Sequence, residues 1–219
     1  MSRLFTEPHR ELQDRFGTRA LADRIEQLAC ATEFDDLAKG FIESRDMFFL
    51  SSVDPAGRPT VSYKGGDPGF VQVLNPTTLI FPSYDGNGMY LSLGNLSHTA
   101  EVGLLFIAFD KPHRIRVQGR ASVSEDAALL NRFPGAEVVV SVALSEYWQN
   151  CPRYIHRYEK VQASRYVPGR DCETPLAEWK RIDIVQDVLP ERDVARAQLA
   201  GTIGIEDWMA KVIAGDPEA

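Results

Sequence analysis

Apolar positions recur at helical intervals through the first part of the chain: Leu12, Phe16, Leu21, Ile25 and Leu28 place one face on residues 7–30. Gly17-Thr18 interrupts that period, and the Thr18 hydroxyl is suited to capping a second helix. Thr32 followed by Asp35 predicts another helix start, with Phe34, Leu37 and Phe41 on one face. Beyond Ser44 the period changes to that of strands. Residues 47–53 form a short apolar run that ends in Asp54-Pro55-Ala56-Gly57, a good turn, and residues 60–64 read as its antiparallel partner. Residues 70–74, 78–81, 101–109 and 114–123 supply further strands, separated by Gly, Pro and Asn clusters. Ile115, Val117, Gly119 and Ala121 alternate with Arg116, Gln118 and Arg120, so one face is dry and the other polar. Residues 137–144 alternate similarly, and 145–150 end the strand or turn into a short helix. After Val161 the chain becomes polar and irregular until residues 191–213 recover a helical pattern.

This pattern predicts a small antiparallel β-barrel with helices at both ends, mainly β in an α+β class. With 219 residues the chain reads as a single domain, in three stretches. Residues 1–45 hold the amino-terminal helices, 46–161 the barrel and 162–219 a carboxy-terminal extension. Hydrophobic residues are 44% and charged residues 25%, which argues against wholesale disorder. Twenty-four Lys and Arg against 31 Asp and Glu leave a net charge of −7, so charge-driven nucleic-acid binding is excluded. The longest apolar run, residues 102–109, is far shorter than the roughly 20 residues of a membrane helix. Arg3, Glu7, Arg10 and Glu11 interrupt any leader-like apolar segment. Three widely spaced cysteines (Cys30, Cys151, Cys172) fit a reducing cytoplasm, and no metal site is expected from them or from the four histidines.

The candidate chemistry lies in Ser62-Tyr63-Lys64-Gly65-Gly66-Asp67-Pro68-Gly69-Phe70-Val71. Three glycines there permit close backbone approach, and Lys64 brings a positive charge. A second loop, Asp85-Gly86-Asn87-Gly88-Met89-Tyr90, followed by Ser92 and Asn95, is rich in small donors and opens a helix whose free N–H groups suit an anion. Neither loop matches a dinucleotide or P-loop pattern. Composition alone leaves both open between hairpin connections and an anion cradle.

The ordered set of motifs decides between them. The first loop, with Phe81-Pro82, Gly86-Asn87-Gly88-Met89, Gly94-Asn95, Val102-Gly103-Leu104-Leu105-Phe106, Arg116-Val117-Gln118-Gly119 and Asn150-Cys151-Pro152-Arg153-Tyr154, resembles the pyridoxamine 5′-phosphate oxidase-related FMN-binding proteins over about residues 34–160. The resemblance implies a six-stranded antiparallel split β-barrel and a homodimer with FMN at the subunit interface. It further implies an FMN-dependent oxidoreductase acting on a small molecule in the cytoplasm, with neither nucleic acid nor membrane as partner. A flavin carrier or sensor, or a haem- or F420-binding relative, are the alternatives, with His98 and His156 the warrant for haem. Mapped onto this chain, the cofactor-binding residues are Ser62, Tyr63, Lys64, Gly65, Pro82, Ser83, Asn87, Gly88, Met89, Asn95, Trp148 and Arg153. Lys64 and Ser62 lead, and Trp148 and Arg153 reach across the interface. Related sequences carry Arg after the Gly-Asn pair, where this chain has Gly88-Met89. The phosphate then relies on Lys64, backbone N–H groups and Arg153. The Arg and His set that binds substrate phosphate near the end of the true oxidase is not found here.

Tyr63 lies between Ser62 and Lys64 and therefore points to the opposite face. Cys151 reads as a small buried hydrophobe. Residues 169–179 have the look of a loop able to cover a site.

Overall fold

The protein is described by a computed structural model covering residues 2–169 and 173–219; residues 170–172, which include Cys172 and part of the 169–179 loop, fall outside the described residues. The chain divides after Glu159 into two compact units, the second being Lys160–Ala219.

The first unit begins with helices α1 (Glu7–Arg15) and α2 (Arg19–Ala29) on either side of Gly17-Thr18, where the helical period breaks. Thr18 makes no side-chain cap; its hydroxyl turns back to the Gln13 carbonyl at 3.5 Å. Helix α3 (Asp36–Glu43) starts at Asp35, whose carboxylate accepts the Ala38 N–H at 2.7 Å, so Asp35 rather than Thr32 is the cap. Its buried face, Ala38 and Ile42, enters the core.

Eight strands follow the sequence in one antiparallel sheet: β1 (Cys30–Ala31), β2 (Met47–Val53), β3 (Pro59–Gly65), β4 (Gln72–Asn75), β5 (Thr78–Tyr84), β6 (Glu101–Ala108), β7 (His113–Ser124) and β8 (Ala136–Asn150). Helices α4 (Leu91–His98) and α5 (Ala127–Leu130) are inserted between strands. The order is β3-β2-β6-β7-β8-β5-β4, with β1 added against β8. The fold is mainly antiparallel β with flanking helices. Among the described residues the sheet has eight strands where the split barrel implied six; β4 falls on the strand expected at 70–74, and β1 alone has no counterpart among the strands read from the sequence. Residues 30–31, which the helical period absorbs, drop into a ladder with Tyr147 and Trp148. Strand β8 runs to Asn150 rather than ending near 144. Its partner β7 pairs Gln118 with Glu146 and Gly119 with Leu144, leaving Ser145 as an extra residue. That bulge breaks the alternation in the sequence without ending the strand.

Alternate residues of β2 face inward, and Phe48 is at the centre of the core. Its ring lies 5.0 Å from Phe106 on β6 and 5.0 Å from Phe81 on β5. Strands β2 and β5 are four places apart in the sheet, which would separate them by roughly 19 Å if it were flat. The sheet is therefore strongly curled, and both ends share one core.

In the second unit, turns at Glu178–Arg181 and Asp183–Val188 precede α6 (Glu191–Ala200) and α7 (Ile205–Ala214). The single helical stretch read over 191–213 is thus two helices, separated at Gly201. The unit's centre holds an ion pair: Lys180 Nζ lies 2.8 Å from Asp193 Oδ2, with residue exposures of 3% and 5%. Lys180→Met removes the cation and leaves a buried carboxylate, so a loss of about 3–5 kcal/mol is expected. Urea unfolding of the full chain, with hydrogen exchange followed in 173–219, will show this unit opening earlier than in the parent.

Candidate functional site

Curling brings β3 and β5, from opposite parts of the sheet order, to the edges of one cavity of about 370 Å3. Its lining runs through Ser62 and Lys64, Ser83 and Tyr84, the loop Gly86–Tyr90, and the first turn of α4 from Leu91 to Leu93. Strand alternation turns Ser62 and Lys64 toward it while Val61 and Tyr63 remain exposed on the other face. Ser62 Oγ and Ser92 Oγ, 3.1 Å apart, tie β3 to α4.

Lys64 is half-buried, and burial holds its ammonium below the usual lysine range. Among the described residues nothing hydrogen-bonds or ion-pairs with it. Burying a cation without a counter-charge is costly, so an anion entering this cavity gains an interaction that the protein alone leaves unmade. The Tyr84 phenol is pushed up by burial and by the charge of Asp67.

The loop is shaped by its own side chains. Asn87 Oδ1 accepts the Met89 N–H at 3.1 Å, a local turn of the kind Asn favours. Gly88 has φ 73°, a conformation glycine adopts without steric cost. Tyr90 precedes α4 at φ 49°, uncommon for a non-glycine residue, with its hydroxyl 3.0 Å from Glu137 Oε2. The first N–H groups of α4 have no partners within the helix and border the cavity.

Six of the twelve expected residues thus converge: Ser62, Lys64, Ser83, Asn87, Gly88 and Met89. The others lie elsewhere. Tyr63 faces away and packs edge-on against Phe49 at 6.2 Å. Gly65 is pressed against the Tyr63 ring, and a Cβ on Gly66 would meet the Phe70 ring at 2.4 Å. The close approach permitted by this glycine pair is to the chain's own aromatics. Pro82 is buried on β5, paired with Val139. Asn95 is buried, and its amide donates to Ser52 Oγ and Thr60 Oγ1, both at 3.0 Å, so it fastens α4 to the β2–β3 hairpin. Trp148 pairs with Cys30 and Arg116 near the far end of β8. Arg153 is exposed beyond it, 5.7 Å from the Tyr154 ring centroid. Cys151 is exposed, which corrects the buried reading: it is the first residue after β8 and lies outside every ladder.

Sequence reasoning missed Tyr84, Leu91 and Leu93 as lining residues, and Tyr90 entered only as part of the second loop. The register of β5 shifts between Ser83 and Tyr84, so adjacent residues reach one cavity, which simple alternation forbids.

Residues 34–161 match the model of the pyridoxamine 5′-phosphate oxidase family. The chain belongs to that family. All the lining residues lie within the matched span. Among solved structures it is similar to HupZ of Group A Streptococcus, at 11% identity and TM-score 0.45 over 57% of this chain and 100% of that one. A putative pyridoxamine 5′-phosphate oxidase of Lactobacillus delbrueckii gives 21% and 0.44 over 54% and 95%. An FMN-binding protein of Syntrophomonas wolfei gives 14% and 0.42 over 64% and 97%. No curated protein matches.

Asn95→Ala tests the division between site and scaffold. Ser52 and Thr60 remain 3.0 Å apart and can bond each other, so the loss should be about 1–3 kcal/mol in chemical denaturation.

Proposed function

We propose that this protein binds FMN in the cavity between β3 and α4 and acts as an FMN-dependent oxidoreductase on a small molecule. The observation that carries the reading is Lys64: a half-buried cation without a partner among the described residues, opening on a cavity edged by free backbone N–H groups. A phosphate carrying about −1.5 to −2 charges suits that arrangement. The volume of about 370 Å3 falls within the range of roughly 300–1,000 Å3 usual for small-molecule and cofactor pockets. Ser62, Ser83 and Ser92 add hydroxyls that donate or accept as the ligand requires. Family membership supports flavin as the phosphate-bearing group. No histidine is among the described residues lining the cavity, so haem is not favoured. When bound, FMN supplies the electron and hydride chemistry; the protein's share is to orient it and set the local charge. A cationic Lys64 performs that second task, and the rigid hydroxyls the first.

A homodimer in the manner of a split β-barrel completes the reading. Val61 and Tyr63 are 70% and 62% exposed on β3, an end strand of the sheet order, and Leu12, Phe16 and Leu21 leave an apolar face on α1 and α2 uncovered. A second copy covers such a face and brings Trp148 and Arg153, which this chain holds away from its own cavity. A cytoplasmic setting suits the three cysteines.

The test compares FMN with riboflavin, which lacks the phosphate, by fluorescence titration. Lys64→Ala should weaken FMN by about 1.5–3 kcal/mol, roughly 10- to 150-fold, and leave riboflavin unchanged. Equal losses for both ligands would remove the phosphate from Lys64. The cation is the binding form, so FMN affinity should fall as pH rises through the lowered pKa of Lys64, earlier than for an ordinary lysine. In Lys64→Arg the fall should disappear from that pH range. Reduction of the bound flavin by NADH or NADPH would support turnover.

A further inference from the structure

A second cavity, about 410 Å3, lies at the other end of β8, between the end of α2, the start of α3 and the chain just beyond the strand. Its walls are held from several directions. Gln149 Nε2 and His113 Nδ1, 3.1 Å apart, join β8 to β7. Past the strand, the Tyr158 N–H donates to the Phe109 carbonyl and Arg157 Nε to the Asp110 carbonyl, both at 3.2 Å. Asp35, the one charged side chain among the described lining residues, spends a carboxylate oxygen on the cap of α3.

Two polar atoms here are left over. Asn150 Oδ1, on the cavity wall, and Arg114 Nε are each buried with no hydrogen-bond partner among the described residues. They belong together, because Arg114 and Asn150 stand opposite one another in the β7–β8 ladder. Opposed residues leave the same face of a sheet, with Cβ atoms about 4.5–5.5 Å apart. The Arg114 charge also reaches the cavity wall. The Cys151 thiol there is pulled down by the Arg153 backbone N–H first, then by the Arg153 and Arg114 guanidiniums. One leftover atom carries a hydrogen to donate and the other accepts. A buried polar atom without a partner has given up water for nothing, which is why such atoms are rare.

We propose that this cavity binds a small neutral molecule bearing a carboxamide, whose oxygen accepts from Arg114 Nε and whose N–H donates to Asn150 Oδ1. Other polar groups fail on the same two atoms. A carboxylate brings acceptors alone and sets one of them against Asn150 Oδ1, with Asp35 on the same wall. An ammonium brings donors alone and adds a positive charge beside the Arg114 guanidinium. An amide edge presents an acceptor and a donor side by side and adds no charge. Leu28, Ala29, Ala31 and Pro152 offer apolar surface to the rest of the molecule. The volume is in the range of roughly 300–1,000 Å3 usual for small-molecule pockets. The two cavities share no lining residue, so this site stands independently of the flavin reading.

The experiment titrates the full chain with benzamide, benzoate and benzylamine, followed by calorimetry. Benzamide should bind saturably, and the other two about tenfold more weakly or worse. Asn150→Leu and Arg114→Met each remove one of the two atoms and keep much of the side-chain volume. Each should weaken benzamide about tenfold or more, the loss of one buried hydrogen bond. Without ligand, Asn150→Leu should melt no lower than the parent, since the oxygen it removes has no partner to lose. A lower melting temperature would show that Asn150 and Arg114 bond one another in solution, which overturns the proposal. So would benzamide that does not bind, or that binds the variants or benzoate's site chemistry equally well. The titration needs no flavin, so its failure and failure of the FMN–riboflavin comparison are distinct.

Discussion

The contact between Phe48 and Phe81 is the constraint from which the rest follows. Two rings four strands apart in the sheet order meet at 5.0 Å, which a flat sheet forbids. Once the sheet curls to allow it, the inner faces of β2, β5, β6 and β7 enclose one apolar core. The same curling sets Ser62 and Lys64 on β3 facing Ser83 and Tyr84 on β5 across the cavity. A core contact thereby creates the geometry of the candidate site. Asn95 then fixes the remaining wall, since its amide spans Ser52 and Thr60 and holds α4 in place.

The electrostatics work on a shorter scale than the net charge. A total of −7 says that the surface repels polyanions, but at physiological salt exposed charges are screened beyond about 8 Å. Within the cavity the single half-buried Lys64 dominates. Placing it there costs solvation, a cost that the proposed phosphate would offset. The arrangement differs from the Lys180–Asp193 pair in the second unit, where the cation meets its counter-charge within the protein. Lys180 is satisfied within the protein and serves stability; half-buried Lys64 has no counter-charge among the described residues, and that is the place proposed for the phosphate.

Much of this was legible in the sequence because period-two alternation is a local signal. The dry face of β7, Ile115 through Ala121, and the pairing of Ser62 with Lys64 on one face follow from it directly. The ordered motifs from Ser62 to Tyr154 pointed to the family that residues 34–161 match. The misses are non-local. Strand β1 exists only because β8 is there to pair with it, and β8 extends only because a bulge at Ser145 restores its register. Asn95 and Gly66 carry residue types suited to ligands, yet their neighbours in space are Ser52, Thr60 and Phe70. Residue type reveals a capacity for contact; only the curled sheet decides with what.

The central claim is that the unpaired Lys64 ammonium marks where a flavin phosphate sits. A crystal structure of the protein with FMN tests it most directly. The account predicts phosphate oxygens within hydrogen-bond distance of Lys64 Nζ, beside the first turn of α4. Flavin density with its phosphate at another site, and Lys64 still without an anion, would contradict it.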